Sequence, residues 1–499
     1  MKYIDYVQLS PLQRFAYKLK TFFANLPKNI GRFFKAIGKF FKNLVLGIIH
    51  SFQNYGTRFV KGDWATKLSY LVMGSSNIVR GQYIKGLLLL AIEVLYFLFL
   101  ITFGSTYISK FGTLGTQATQ SNFDPETHRS VVVPGDNSML ILLYGVLTII
   151  VSIVFLVFYI INTKSAYYVQ ELSKSGQHIP TFREEVKQFG DEKFHITLLS
   201  LPVLLISVFT VLPLIFMVCI AFTNYRPPNL APNNLFTWVG LDTFREVFSN
   251  SGGANMGKTF LSLTEWTIIW AFFATFLNYF MGMIVALMIN KKGIKLKALW
   301  RTLFVITVAV PQFVTLLIMN QMLQLDTGAI NIILQNLGFD QIDFIGNETL
   351  TARITVIVIN LWVGIPYTIL ITSGILMNIP EDLYESARID GAGPVKTFMS
   401  ITLPYMIFVT TPYLITTFIN NINNFNVIYL LTNGGPTTQE YYQAGKTDLL
   451  VTWLFKLTLG SQDYNYAAAI GILVFIVCAS LSLITFNVTK SAKDEEAFS

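Results

Sequence analysis

The sequence has few of the residues that form disulfides, hold metals or catalyse reactions. Only two cysteines and four histidines occur in 499 residues. Cys219 and Cys478 lie within apolar runs, where a cysteine is typically a small core residue rather than half of a disulfide or a metal ligand. The histidines are scattered and show no ligand spacing: His50, His128, His178 and His195. This scarcity argues against a membrane-embedded enzyme, which needs His, Asp or Glu gathered at one depth.

Charge is also scarce, since 13% of the residues are charged and 53% are hydrophobic. Such a chain is too apolar for a soluble multidomain protein. A bilayer is crossed by about 20 consecutive apolar residues, and eight runs are long enough. The sequence therefore predicts an all-α polytopic membrane protein with about eight transmembrane helices, near residues 86–103, 139–162, 196–222, 264–290, 302–323, 353–378, 405–431 and 467–489.

The basic residues are unevenly distributed between the two sides of this topology. With the N-terminus inside, the cytoplasmic segments hold 28 of the 36 Lys and Arg residues, and the outer loops hold 7. Cytoplasmic loops carry an excess of Lys and Arg. The sequence therefore predicts a multi-pass protein of a bacterial-type cell membrane with both termini in the cytoplasm. The net charge of +8 follows from this bias and indicates no nucleic-acid partner.

Four segments are expected along the chain. Residues 1–62 form a basic amphipathic extension, which either lies in the membrane interface or packs on the rest of the protein. Residues 63–195 hold an interfacial segment and the first two spans. Residues 196–490 form the membrane core with a cytoplasmic loop at 378–404, and 491–499 form a cytoplasmic tail.

One intramembrane acid raises the alternative of an ion-coupled secondary sugar transporter. Glu93 lies in the first span, and an acid at that depth is a functional candidate by default. Its closeness to Lys85 instead favours a partner near the cytoplasmic interface. A secondary transporter would also have inverted repeats and titratable groups near the midplane, and the sequence shows no convincing repeat.

One short motif matches a nucleotide-binding pattern. Residues 252–259, GGANMGKT, fit the P-loop pattern G-x-x-x-x-G-K-[ST]. That chemistry needs a preceding strand, a helix start and a magnesium-binding acid. The preceding residues DTFREVFSN are helix-like, and the predicted topology places the motif outside the cell. We therefore expect no nucleotide at this motif and no cofactor on this chain.

Two neighbouring apolar runs carry polar residues that could bind a ligand. One contains Asn360, Gly364, Pro366 and Tyr367, and the other contains five amides in seven residues: Asn420, Asn421, Asn423, Asn424 and Asn426. Amides bond hydroxyl groups and aromatic rings cover the apolar faces of sugars, which favours a neutral polyhydroxylated ligand. The alternative is that these asparagines join helices or lie beyond the membrane.

Between these two runs lies a polar stretch built like a folded helix. Pro380 can begin a short helix with Glu381 and Asp382 in its first turn, and Gly391 can end it. The stretch resembles the E-A-A-x3-G-x9-I-x-L-P loop of ABC importer permeases. The positions that carry the resemblance are Glu385, Ser386 (where Ala is usual), Ala387, Gly391, Ile401, Leu403 and Pro404.

From about residue 260 the chain resembles the maltose/maltodextrin-type permease subunit of carbohydrate ABC importers. The strings that carry this resemblance are NLWVGIPY, DLYESARIDGAGP, NNFNVIYLLTNGGP, GKTDLLVTWLF and YAAAIGILVF. The resemblance implies a type I ABC importer permease fold. It also implies a sugar site at Asn360, Gly364, Tyr367, Thr417, Asn420, Asn421 and Asn424, although relatives can carry an aromatic residue at position 420.

The same resemblance implies a set of partners. A second permease subunit, two ATPase subunits and an extracellular sugar-binding protein would assemble with this chain to import an oligosaccharide such as a maltodextrin. The helix near residues 381–390 would sit in a cleft of the ATPase as a coupling helix. Glu385 would pair with a basic group of that partner or with Arg388. The chain itself would catalyse no reaction.

Overall fold

The computed structural model describes residues 53–124, 129–250, 255–291 and 293–488, with isolated positions between 31 and 51. Most of the predicted extension 1–62 and the tail 491–499 lie outside the described residues. The described chain divides into two compact units. The N-terminal unit contains residues 53–243 and 463–468, and the C-terminal unit contains residues 244–462 and 469–488. The predicted segment boundaries at 62, 195 and 490 stay predictions.

The N-terminal unit is mostly helical. Residues 53–61 are helical, and the next helices are α1 (Trp64–Leu68), α2 (Ser75–Val79), α3 (Tyr83–Phe99), α4 (Ser105–Phe111), α5 (Ser138–Lys174), α6 (Phe182–Gly190), α7 (Phe194–Ile206) and α8 (Leu212–Ile220). π-Helical segments Leu100–Gly104 and Ser207–Val211 join α3 to α4 and α7 to α8. A small antiparallel ribbon, β1 (Gln120–Asp124) with β2 (Arg129–Val133), lies between α4 and α5, with Gln120 paired to Val133.

The C-terminal unit contains the remaining helices, of which α9 and α21 begin at residues of the N-terminal unit. They are α9 (Asp242–Val247), α10 (Met256–Phe272), α11 (Asn278–Asn290), α12 (Lys297–Ile306), α13 (Gln312–Met322), α14 (Ala329–Asn336), α15 (Thr349–Leu376), α16 (Glu381–Ile389), α17 (Pro394–Thr397), α18 (Leu403–Ile422), α19 (Phe425–Thr432), α20 (Leu450–Leu459) and α21 (Tyr464–Val488). π-Helical segments Phe273–Leu277 and Phe398–Thr402 make α10–α11 and α17–α18 continuous, and Thr307–Ala309 is a 3₁₀ turn.

Eight candidate spans correspond to the eight predicted apolar runs. Seven helices among the described residues are long and apolar enough to cross a membrane. The eighth is a pair, Lys297–Ala309 and Gln312–Met322, bent by 87° at the intervening Val310-Pro311. Pro311 lacks the amide hydrogen that would continue the helix. The prediction of a helical polytopic membrane protein is confirmed.

One predicted span begins and ends earlier in the chain than the hydropathy indicated, since the candidate span is Pro394–Ile422. The run 405–431 is divided between α18 and α19, and the break falls at Asn423 and Asn424. The Asn424 side chain accepts a hydrogen bond from the Val427 amide and so caps α19. Asparagine favours this cap position because its side chain replaces a missing backbone partner. The sequence also failed to indicate α20, a ten-residue apolar helix in the segment between α19 and α21.

In the N-terminal unit, buried amides hold the two short helices α1 and α2 against the C-terminal half of α5. The Asn162 Oδ1 accepts from the Gly74 amide at 2.8 Å, and its Nδ2 donates to the Ser69 carbonyl at 2.8 Å. Gln170 accepts from the Asp63 amide at 2.8 Å and donates to the Lys61 carbonyl at 3.1 Å. These amides bind helices together.

The intramembrane acid of the same unit has a local partner, as its position near the interface indicated. The Glu93 Oε2 accepts from the Met73 backbone amide at 2.7 Å. Lys85, the cation nearest in sequence, instead pairs with Glu185 at 2.7 Å. Glu93 therefore ties α3 to the segment between α1 and α2.

The C-terminal unit is built around the parallel contact of α11 with α15, in which Asn278 lies near Asn360 and Asn290 near Ser373. Gly282 lies so close to Thr368 that a Cβ on the glycine would come within 2.5 Å of the threonine Cβ. A buried cluster lies beside this contact and consists of Tyr279, Met283, Ile379, Met406 and Leu414. A second cluster, around Trp266, Trp270, Leu316, Val356 and Ile428, fills the other end of the unit.

Candidate functional site

A cavity of about 190 Å³ lies within the C-terminal unit. It is bordered by helices α11, α13, α15 and α18 and by the break before α19. The lining residues are Ala274, Thr275, Asn278, Tyr279, Gln312, Asn360, Val363, Gly364, Tyr367, Thr368, Tyr413, Thr417, Asn421 and Asn424. None of them is Asp, Glu, Lys, Arg or His, so the wall offers hydroxyl groups, amides and aromatic rings. Such a wall is suited to a neutral polyhydroxylated ligand.

The structure brings together six of the seven residues proposed for a sugar site. Asn360, Gly364 and Tyr367 come from α15, Thr417 and Asn421 from α18, and Asn424 from the cap of α19. The seventh, Asn420, is exposed and does not line the cavity. Neighbouring residues on a helix point about 100° apart, and here Asn421 faces the cavity while Asn420 does not. Their binding roles stay predictions.

Two of the asparagines in this set are engaged within the protein. The Asn421 Nδ2 donates to the Thr275 Oγ1 at 3.0 Å, and the Trp270 indole donates to the Asn421 carbonyl at 3.1 Å. Asn424 caps α19 and also donates to the Asn421 Oδ1 at 3.4 Å. Part of the asparagine run therefore joins helices, which is the alternative that the sequence left open.

Other lining side chains have hydrogen-bonding capacity to spare. Asn360 is 5% exposed, and its side-chain amide has no hydrogen-bond partner among the described residues. Within that same part of the chain, the side chains of Gln312, Tyr367, Tyr413 and Thr417 also lack a partner. Polar groups inside membrane helices are normally paired, so this unpaired set is the part of the wall best able to bind a ligand.

Sequence reasoning missed the contribution of α11 and α13. Thr275, Asn278 and Tyr279 line the cavity from one apolar run, and Gln312 lines it from the first residue of α13. Asn278 and Gln312 are isolated amides within apolar runs, which is the signal that could have identified them. The denser asparagine run at 420–426 outweighed these single residues.

The polar stretch between α15 and α18 folds into a short exposed helix. Helix α16 begins at Glu381, with Pro380 as its cap rather than its first residue, and Gly391 follows it at φ = +71°. Glycine is favoured there because L-residues with a side chain rarely adopt a left-handed backbone. Pro394 is the first residue of α17.

One side of this stretch packs inward and the other is open. Tyr384, Ile401 and Leu403 pack against the cluster around Tyr279 and Met406. The Tyr384 hydroxyl lies 3.0 Å from the Thr402 Oγ1, while Glu385, Ser386, Gly391 and Pro404 are exposed and Ala387 is half-buried.

The exposed side of α16 and α17 presents both apolar and charged groups. Ile389 is 86% exposed and Val395 is 73% exposed. Within the described part of the chain, Glu385 forms no ion pair with Arg388 or with any other cation. The pairing of Glu385 with Arg388 or with a basic group of a partner stays a prediction.

The residues of the P-loop look-alike serve the local fold in the part of the motif that the structure describes. The Lys258 Nζ lies 3.3 Å from Glu440, which also pairs with Lys446 at 2.9 Å. The Thr259 hydroxyl accepts from the Tyr442 amide at 2.8 Å. Residues 252–254 lie outside the described residues. Across the described residues, no group of three or more His, Cys, Asp or Glu side chains could hold a metal ion.

The chain is similar to a protein-family model, to related permease sequences and to a solved structure. Residues 278–493 match the family model described as "Binding-protein-dependent transport system inner membrane component". The chain is 33% identical over 435 residues to the maltodextrin transport system permease protein MdxF of Bacillus subtilis, covering 85% of this chain and 95% of that protein. It is 34% identical over 427 residues to the galactooligosaccharides transport system permease protein GanP of the same organism, covering 85% and 97%.

A solved structure also matches part of the chain. It is a crystal structure of a bacterial ABC transporter involved in the import of the acidic polysaccharide alginate. The match has 22% sequence identity and a TM-score of 0.49, and it covers 61% of this chain and 97% of the other.

Proposed function

The chain belongs to the family of binding-protein-dependent transport system inner membrane components, and we propose that it is the permease subunit of an ATP-driven importer for maltodextrin-like oligosaccharides. Membership confirms the family predicted from the loop at 378–404 and from the strings after residue 260. The members compared above are transport permeases rather than enzymes. A binding-protein-dependent system also disfavours the alternative of an ion-coupled secondary transporter.

The cavity carries the proposal of a neutral sugar ligand. Its wall combines unpaired amides and hydroxyls (Asn360, Gln312, Thr417) with the rings of Tyr367 and Tyr413, and the lining contains no charged residue. An acidic oligosaccharide would need a cation to balance its carboxylates. A neutral oligosaccharide needs hydrogen bonds to its hydroxyls and an aromatic surface for its ring faces.

The choice among neutral sugars is a separate question. The permeases named for maltodextrin and for galactooligosaccharides are nearly equal in identity to this chain. The strings quoted above resemble the maltodextrin type, so we place maltodextrins first and galactooligosaccharides second.

The partners are a second permease, two ATPase subunits that bind ATP and magnesium, and an extracellular sugar-binding protein. The excess of Lys and Arg places α16 on the cytoplasmic side, where an ATPase can reach it. We assign Glu385, Ser386, Ala387, Gly391, Ile401, Leu403 and Pro404 to the coupling of that ATPase to the spans. The exposed Ile389 and Glu385 provide an apolar contact and a charge for a cleft on the partner.

A packed route connects this loop to the cavity. Tyr384, Ile401 and Leu403 contact the cluster that contains Tyr279, and Tyr279 also lines the cavity. The Tyr279 hydroxyl accepts a hydrogen bond from the Thr410 Oγ1 at 2.8 Å, which ties α11 to α18. A movement of α16 would therefore displace residues of the cavity wall through contiguous packing.

The test is co-purification of the chain with a soluble ATPase, followed by uptake of a panel of sugars into vesicles. We expect ATP-dependent uptake of maltose or longer maltodextrins, and loss of uptake in Gly391→Pro although the complex still assembles. Uptake and sugar-stimulated ATP hydrolysis that both survive in Gly391→Pro would contradict the coupling role. Uptake driven by an ion gradient without ATP would contradict the whole proposal.

A further inference from the structure

Asn278 occupies an unusual place in the cavity wall. It is the first residue of α11, directly after the π-helical segment Phe273–Leu277, and it is 6% exposed. It is an isolated amide inside the run 264–290. A buried amide in a membrane helix is most simply explained as a bond between helices, and this explanation can be checked against both ends of the side chain.

Only one end of the Asn278 amide is satisfied. The Nδ2 donates to the Ala274 carbonyl at 2.9 Å and reaches the Asn360 carbonyl of α15 at 3.5 Å. The Oδ1 is buried and has no hydrogen-bond partner in the described structure. Buried side-chain acceptors in folded proteins nearly always have a donor. A purely structural role therefore accounts for the nitrogen and leaves the oxygen unexplained.

The same side chain explains why residue 364 is glycine. A Cβ built on Gly364 would lie 2.5 Å from the Asn278 Nδ2 and 2.8 Å from both its Cγ and its Oδ1. All three atoms lie beyond the Asn278 Cβ, so the terminal amide rests in the space that the missing side chain leaves. Gly364 thus makes room for Asn278, and Asn278 in turn contacts α15 at Asn360 and at Gly364.

We infer that Asn278 is a positioning residue that sets the α15 wall of the cavity, and that its unpaired Oδ1 is an acceptor for a hydroxyl of the transported sugar. The inference rests on the proposed function. Asn360, whose side chain is unpaired, is held at its carbonyl by Asn278. Replacing Asn278 should therefore alter how well different oligosaccharides fit, in addition to how much complex assembles.

The packing half of the inference is tested by a pair of substitutions in the intact transport complex. Gly364→Ala should lower uptake per assembled complex about tenfold, because an added methyl in a tight contact displaces its neighbours. Asn278→Ala removes the Nδ2, Cγ and Oδ1 atoms that the added Cβ of residue 364 would meet. Uptake by the double variant Gly364→Ala/Asn278→Ala should therefore exceed uptake by Gly364→Ala alone.

The matched control is Gly282→Ala, on the same pair of helices. Its added Cβ would meet Thr368 rather than Asn278, so Asn278→Ala should not rescue it. Equal rescue of both glycine variants, or no rescue of Gly364→Ala, would overturn the positioning role.

The specificity half is tested by the ratio of apparent KM values for two oligosaccharides that the wild-type complex imports. Asn278→Ala should change this ratio about threefold or more, on the order expected for one hydrogen bond. Asn331→Ala removes another buried amide, which bonds within the segment 324–342, and should leave the ratio unchanged. If Asn278→Ala does not assemble, Asn278→Ser replaces it in both tests.

The outcomes separate this inference from the proposed function. A wild-type complex that imports no oligosaccharide refutes the proposed function. Import by the wild type together with an unchanged KM ratio in the Asn278 variant refutes the specificity role alone.

Discussion

Buried amides occur in both units of this molecule, but their hydrogen bonds differ. In the N-terminal unit, Asn162 and Gln170 have both ends of their amides engaged by backbone groups of the segment 61–74. In the C-terminal unit, Asn360 is bonded at its carbonyl while its side chain has no hydrogen-bond partner among the described residues, and the Asn278 amide is satisfied at one end. Of these four amides, the two with incomplete hydrogen bonds line the cavity and the two with complete hydrogen bonds join helices.

The largest expected effect comes from replacing with alanine one amide whose hydrogen bonds are incomplete and one amide whose hydrogen bonds are complete. Asn360→Ala should lower sugar uptake per assembled complex about tenfold or more, because a ligand hydroxyl loses its partner. Asn162→Ala should lower the amount or thermal stability of the complex, because the Gly74 amide and Ser69 carbonyl lose their buried partner. Uptake and complex yield are measured for both variants. The comparison fails if Asn162→Ala impairs uptake per complex as strongly as Asn360→Ala does.

A smaller effect is expected for a lining residue that is already engaged. Thr275→Val leaves the Asn421 Nδ2 without its acceptor, a loss of about 1–3 kcal/mol. The complex should therefore unfold at a lower temperature, with uptake reduced less than in Asn360→Ala. Asn421→Ala should resemble it, and Asn420→Ala should have a smaller effect than either. Thermal unfolding that is unaffected in Thr275→Val would show that this bond is not part of the helix packing.

The next effect concerns coupling rather than sugar binding. Tyr279→Phe removes the hydrogen bond from Thr410 but keeps the ring that packs in the cluster, a loss of about 1 kcal/mol. We expect more ATP to be hydrolysed per sugar imported, with the apparent KM for the sugar nearly unchanged. Simultaneous measurement of ATP hydrolysis and uptake checks this ratio. A changed KM for the sugar with an unchanged number of ATP molecules hydrolysed per sugar would show that the Tyr279 hydroxyl acts in sugar binding rather than in coupling.

The smallest effect is expected at the surface. Hydrogen bonds from Lys446 and Lys258 hold the pKa of the exposed Glu440 carboxyl below its usual range. A lowered pKa in the folded state stabilises the fold above the usual glutamate range, and the contribution is lost as the pH falls through the lowered value. Glu440→Gln should therefore lower the unfolding temperature slightly at pH 7, and this difference should shrink as the pH falls and the Glu440 carboxyl becomes protonated. A difference that persists at low pH would exclude the ion pairs as its cause.

The spans could be predicted from the sequence because crossing a bilayer requires a continuous apolar run, and this requirement acts on each helix separately. The break at Asn423 and the π-helical segment before Asn278 could not be predicted in this way. They depend on which groups of other helices satisfy the local backbone and amides. The hydropathy of residues 405–431 is the same whether α18 continues or stops.

The candidate site was predicted in part for the same reason. Asn360, Gly364, Tyr367, Thr417, Asn421 and Asn424 emerged from two polar patterns and a family resemblance. Asn278 emerged from neither, because a single amide in an apolar run has the same sequence signal whether its bonds are complete or not. Asn420 lies outside the cavity lining, and a run of asparagines does not reveal which of its members face the cavity.

The break between α18 and α19 lies beside one of the two thiols of the chain. The Asn423 Nδ2 is 3.9 Å from the Sγ of Cys478, and Cys478 is buried on α21. Replacing Cys219 with serine would leave Cys478 as the single thiol of the chain. The rate at which a thiol reagent labels it would then report how often the joint between α18 and α19 opens, and a spectroscopic probe attached there would follow that joint through the transport cycle without an engineered cysteine.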